Sequence, residues 1–291
     1  MVTSLVCGQK TLSLTTPQIM GVLNVTPDSF SDGGQLYSDA TINADRLLVR
    51  AESMVAAGAS ILDIGGESTR PGATPVSTQE ELDRVMGAVE LIASRLDVVL
   101  SIDTSNPDVM TATASAGAGL LNDVRAFRRE GALAAAAESG LPVGLMHMSE
   151  EPDRMQSHTD YADVVEDVSV FLSNRIDACI EMGIQRDQIV IDPGFGFGKT
   201  AAQNYEMLRR LAEFAAFELP ILVGVSRKSM IGAVTGRPAE ERVVPSAVLA
   251  VIAAQNGASM VRVHDVAETA DALAVWAATS GALESTSQGI E

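Results

Sequence analysis

The chain has 291 residues, 46% of them hydrophobic, enough to bury a large core within one α/β domain. Lys and Arg number 20 against 38 Asp and Glu, a formal charge of −18, so no basic face for nucleic acid or anionic membrane is expected. Cys7 and Cys179 stand far apart without metal-ligand spacing, and no signal leader or bilayer-length apolar run is seen, which predicts a cytoplasmic protein.

In chain order, residues 3–14 alternate around a Gly-Gln-Lys turn and predict a small hairpin. Strands are expected at 18–24, 60–65, 98–103, 119–123, 142–147, 188–192, 220–225 and 259–263. Helices fill the gaps at 41–57, 78–95, 106–117, 130–139, 161–183, 203–214, 239–256 and 265–279. Thr41 and Ser77 or Thr78 are candidate N-caps, and Gly58 and Gly183 candidate helix stops. Eight strand–helix units predict a TIM (β/α)8 barrel behind a short N-terminal β-hairpin, a single domain over 1–291 with a polar tail at 282–291. An open doubly wound sheet is the competing arrangement.

Most of these strands end in polar residues: IMGVLN at Asn24, SILDIGGESTR at Arg70, VVLSID at Asp103, GLLND at Asp123 and MVRVHD at Asp265. IVIDPG and ILVGVSRKS follow the same pattern, which places the active site at the strand C-termini. The loops Asn24 to Ala40 and Gly65 to Ser77 exceed connection length and read as lids or binding loops.

GFGFGKT (Gly194 to Thr200) imitates a phosphate loop, but Pro193 and Lys199 occupy glycine positions of the two common fingerprints. Asp103 and Asp192 either cap or pair locally, or, with Asn122, line the barrel mouth. The second arrangement suits a flat heterocycle with an amino group beside a ring N–H, because a carboxylate accepts both hydrogen bonds in parallel. Ser226-Arg227-Lys228-Ser229 follows the seventh strand, and Arg262 and His264 end the eighth, where this fold usually binds anions; Arg70 lies in the second long loop. The alternative for each cation is a solvated surface charge. Asn24 is a turn-initiating residue or an oxygen ligand for a Mg²⁺ shared with a diphosphate. His147, within LMHM, reads as structural, and His158 as a loop residue.

Taken together, MGVLNVTPDSFSDGG, DIGGESTRPGA, SIDTS, LLNDVR, LMHM, DPGFGFGKT, LVGVSRKSMIG and VRVHDV resemble the dihydropteroate synthase family, from about Met20 to Val275. The resemblance implies a pterin-binding TIM barrel that joins 6-hydroxymethyl-7,8-dihydropterin diphosphate to p-aminobenzoate, releases diphosphate with Mg²⁺, and is the target of sulfonamides. It assigns Asp103, Asn122, Met146, Asp192 and Lys228 to the pterin, with Arg262 against its face. It places Asn24 on the Mg²⁺–diphosphate, with Ser68, Thr69, Arg70, Arg262 and His264 around the phosphates. Phe30, Thr69, Pro71, Phe197, Lys228 and Ser229 would shape the aminobenzoate pocket. Asp32 resembles the first-loop acid that pairs with Arg70, and the catalytic set becomes Asp32, Thr69, Arg70, Lys228, Arg262 and His264. A homodimer is the family expectation, with the last helix and Trp276 suited to an interface.

Three positions depart from the family pattern: Ser149-Glu150 replaces Gln-Gly, Met86-Gly87 replaces a residue followed by Pro, and Pro245 replaces a small residue. All lie outside the quoted motifs. A pterin-binding methyltransferase domain shares the barrel but would not need Thr69-Arg70-Pro71 or the Ser226–Ser229 cluster. A catalytically silent pterin-binding protein would not need Asn24, Asp32, Arg70, Lys228 and His264 intact.

Overall fold

The computed structural model describes residues 2–26, 37–38, 41–68, 76–149 and 159–279. Phe30, Asp32, Thr69, Arg70, Pro71 and His158 lie outside the described residues, as does much of both long loops.

The N-terminal hairpin pairs β1 (Ser4–Cys7) with β2 (Lys10–Ser13), and Gly8, at φ +62, turns the chain where a side chain would be strained. Then come β3 (Gln18–Asn24), the short antiparallel pair β4 (Tyr37–Ser38) and β5 (Thr41–Ile42), β6 (Ile61–Gly65) and β7 (Val99–Asp103). They are followed by β8 (Leu120–Asp123), β9 (Val143–Met146), β10 (Ile189–Asp192), β11 (Leu222–Val223) and β12 (Met260–Val263). Apart from β1, β2, β4 and β5, these strands form one parallel sheet in sequence order, and β12 returns to pair with β3. Between β10 and β11 the join is a single bridge, Ile191 to Ile221, with the Ile191 N–H donating to Pro220 O at 2.9 Å. The sheet is therefore a nearly closed eight-stranded barrel, as the unit count predicts, and not an open sheet.

Period-two alternation sorts each strand into an outer and an inner face. Outward residues such as Leu62, Ile102, Leu145 and Val261 join the main core beneath the helices. Inward residues Met20, Ile61, Val99, Leu120, Val190, Leu222 and Met260 form a separate apolar floor, which Leu5, Cys7 and Leu12 of the hairpin cover from below. The hairpin thus plugs the N-terminal end, leaving the other end for chemistry.

Nine helices are seen among the described residues: α1 (Ala44–Ala56), α2 (Thr78–Arg95), α3 (Pro107–Ala116), α4 (Ala132–Ser139), α5 (Val164–Glu181), α6 (Ala201–Arg209), α7 (Ser229–Thr235), α8 (Val243–Gln255) and α9 (Val266–Thr279). Ser77 caps α2 as expected, but Thr41 belongs to β5, and Asn43 caps α1 by accepting the Arg46 N–H at 3.0 Å. Gly58 and Gly183 follow their helices at φ +106 and +100, the left-handed geometry of helix stops. The helix expected over 203–214 ends at Arg209 and continues as a 3-10 segment, Leu211–Phe217. That expected over 239–256 starts only at Val243, after a 3-10 turn at Ala239–Glu241. Helix α7 is additional. No helix among the described residues is long and apolar enough to cross a membrane.

Candidate active site

Above the apolar floor, the same inward alternation changes character. Two residues on from Ile61, Val99, Leu120, Val190 and Met260 stand Asp63, Ser101, Asn122, Asp192 and Arg262. One further step gives Asp103, and on β3 the corresponding tip is Asn24. Neighbouring strands align Asn24 with Gly65, Gly65 with Asp103, Asp103 with Asn122, and Asn122 with Gly144. A Cβ at Gly144 would stand 2.7 Å from Asn122 Oδ1, so glycine there makes room for the amide.

Arg262 is the electrostatic centre of the mouth. Its Nε donates to Asp63 Oδ2 at 2.6 Å and a terminal nitrogen donates to Asp103 Oδ2 at 2.9 Å. Asp63 is fully buried and also accepts from Ser101 Oγ at 2.6 Å, so its charge is doubly compensated. Burial pushes Asp103 up to about 7 against the pull of Arg262. Asp192 is buried on β10; burial raises its pKa, while Lys228 opposes the shift and its Oδ1 accepts the Gly194 N–H at 2.7 Å.

Lys228 caps α7, donates to Phe195 O, and lies 4.7 Å from the centre of the Phe197 ring. Burial lowers it to about 8, with Asp192 pulling the other way. Phe197 packs on Met146, Met148 and Val124, giving the mouth one apolar wall among its charges. Ser229 is the exposed first residue of α7.

His264 presents Nδ1 to Ser226 Oγ at 3.0 Å, and its own N–H donates to the same hydroxyl at 3.2 Å. Arg227, by contrast, is turned away from the cation group: its Nε donates to Asp265 Oδ2 at 2.9 Å, and Arg242 braces its carbonyl at 2.9 Å. Ser68 is half-buried just beyond the tip of β6. The structure thus brings Asn24, Asp103, Asn122, Met146, Asp192, Phe197, Lys228, Arg262 and His264 to the C-terminal mouth. His147 is buried, as its apolar context implies.

The "Pterin binding enzyme" family model matches residues 20–264. Dihydropteroate synthase of Escherichia coli is 50% identical over 273 residues, which cover 94% of this chain and 95% of that protein. The chain belongs to the dihydropteroate synthase family. Among solved structures, that of Yersinia pestis dihydropteroate synthase with a sulfonamide drug complex superposes with a TM-score of 0.92 at 51% identity, covering 96% of this chain and 99% of that one. Dihydropteroate synthase of Xanthomonas albilineans in complex with 7,8-dihydropteroate gives 0.85 at 43% identity, covering 95% and 98%.

Two further buried residues, Asp63 and Lys199, lie at this end of the barrel. Asp63 was visible as an inward position, since Ile61-x-Asp63 repeats the spacing of Val190-x-Asp192 and Met260-x-Arg262. Lys199 breaks the phosphate-loop pattern in the sequence, yet only 4% of it is exposed.

Proposed function

We propose that this chain condenses 6-hydroxymethyl-7,8-dihydropterin diphosphate with p-aminobenzoate, giving 7,8-dihydropteroate and diphosphate, a step of folate biosynthesis. One observation carries the reading: a polar layer of Asp63, Asp103, Asn122, Asp192 and Arg262 lies directly on an apolar floor, beside the Lys228–Phe197 pair. Relatives of the same family bind sulfonamides and 7,8-dihydropteroate, in keeping with it.

In this reading Asp103, Asn122 and Asp192 take the amino and ring N–H edge of the pterin, with Met146 and Lys228 beside them. The Arg262 guanidinium, held by two carboxylates, keeps a fixed plane against the ring. Phe197, Lys228 and Ser229 border the aminobenzoate, joined by Phe30, Thr69 and Pro71. An arylamine is a weak nucleophile, so most is gained by helping diphosphate depart. Ser68, Thr69, Arg70, Arg262 and His264 are assigned to stabilise charge on that leaving group, and Asp32 to pair with Arg70. The electron-rich reduced pterin can support a cationic methylene, so C–O cleavage precedes attack by the amine. Its proton leaves once the C–N bond has formed.

Among the described residues, no three His, Cys, Asp or Glu side chains gather as a metal site. Asn24 supplies a hard oxygen at the mouth, with Oδ1 3.6 Å from where a Gly65 Cβ would stand. That donor suits a Mg²⁺ ion that completes its shell with diphosphate and water. When bound, the ion would neutralise diphosphate charge.

Homodimerisation through α8 and α9 belongs to the same reading. Val244, Val248 and Val275 are largely exposed and, with Trp276, line a groove of about 660 Å³. A cytoplasmic location belongs to the same reading.

The test is diphosphate release on mixing the purified protein with both substrates and Mg²⁺. Release that requires both substrates, and that a sulfonamide suppresses competitively with p-aminobenzoate, is expected. Pterin binding without release would overturn the reading in favour of a silent pterin-binding protein.

A further inference from the structure

Lys199 closes the loop between β10 and α6, next to Thr200, whose capping box with Gln203 fixes the start of α6. Its ammonium is buried and has three partners: Gly194 O at 2.8 Å, Phe197 O at 3.1 Å and His147 Nδ1 at 2.9 Å. Burial lowers Lys199 to about 7, with Asp192 pulling the other way; in its protonated form it carries three protons and no lone pair, so three acceptors match it fully. The match requires an unprotonated Nδ1 on His147. Burial, aided by the Lys199 charge, lowers His147 to about 2, which keeps the ring neutral with its proton on Nε2.

His147 is itself held firmly. Its N–H donates to Asp192 O at 2.9 Å, and its ring meets the Phe171 ring edge-on at 4.9 Å. The loop is pressed onto the same residue, because a Cβ at Gly194 would stand 1.8 Å from His147 O. One nitrogen therefore joins the tip of β9 to both ends of the Gly194–Phe197 turn. The Phe197 ring leaves that turn directly beneath the Lys228 ammonium.

We propose that Lys199 is a positioning residue: by fastening the carbonyls of Gly194 and Phe197 to His147, it fixes the aromatic wall against which the arylamine substrate lies. This rests on the substrate reading given above. The pterin side has a second anchor, the Gly194 N–H donated to Asp192 at 2.7 Å, and meets Lys199 only through its Gly194 contact and the pull of its charge on Asp192. Removing the ammonium should accordingly loosen the arylamine wall more than the pterin edge.

Lys199→Met keeps the aliphatic stem and deletes all three donors; Lys199→Gln keeps two donors without the charge. For the Met variant the KM for p-aminobenzoate should rise about tenfold or more, and for Gln by an intermediate factor. Pterin affinity, measured by calorimetry, should fall by a clearly smaller factor, the share that Asp192 owes to the Lys199 charge. An unchanged KM in a folded variant would overturn the proposal, as would equal losses for both ligands. Should only the Gln variant fold by circular dichroism, its KM decides. If neither folds, Lys199 is a structural lysine and the proposal fails. Wild-type protein is assayed first, so absent turnover there refutes the substrate reading, whereas turnover with an unaltered variant KM refutes this one.

Discussion

Arg262 and its two carboxylates show how a barrel can keep charge deep inside. A guanidinium held by Asp63 and Asp103 is compensated on two sides, whereas each carboxylate alone would suffer a large desolvation cost. Burial nonetheless pushes the Asp103 carboxyl up to about 7 against the pull of Arg262. A carboxylate, and not the acid, accepts two parallel hydrogen bonds, so pterin affinity should rise with pH through a midpoint of about 7. Asp103→Asn should flatten that rise and, at about pH 8, weaken binding roughly tenfold to a hundredfold, which calorimetric titration at several pH values measures. Asp103 and Asp192 were legible in the sequence because a charge ends an apolar run. Asp63 is legible only through the inner-face register it shares with Ile61, because Ile64 follows it and continues the apolar run.

Among the elements, the joint between β9 and the loop after β10 is the most demanding. Gly194 has φ +73 and no room for a Cβ, while Gly140, at φ +66, has nothing within 4 Å of that position. Gly194→Ala should therefore cost about 2–4 kcal/mol of stability, from strain and clash together. Gly140→Ala should cost only the left-handed penalty of about 1–2 kcal/mol. Thermal denaturation of the two variants separates them. Strand positions were readable to within a residue or two at most ends, since each carries a branched apolar run closed by a polar tip. Helix α7 was hidden: SMIGAVT holds a glycine and β-branched residues, has seven residues, and is fixed by tertiary contacts instead of its own periodicity. The limits of α6 and α8 differ from the expected ones for a related reason, because 3-10 turns share the composition of the helices they adjoin.

At the scale of the whole molecule, the exposed valines of α8 and α9 stand out from the strongly acidic composition of the chain. Val248→Asp should leave the barrel folded, since the side chain is half exposed, and should shift a dimer to monomer by light scattering. A Val248→Asp protein that keeps the wild-type mass would refute the proposed interface. The barrel itself was legible from the count of units, while its uneven closure was not, because β11 contributes only Leu222 and Val223 to the sheet. That lone bridge between Ile191 and Ile221 has a mechanical meaning. It is a seam, and Phe197 and Lys228 stand on its opposite banks. Any guest gripping both banks acts as a clasp on the hoop, so occupancy and stiffness become linked quantities.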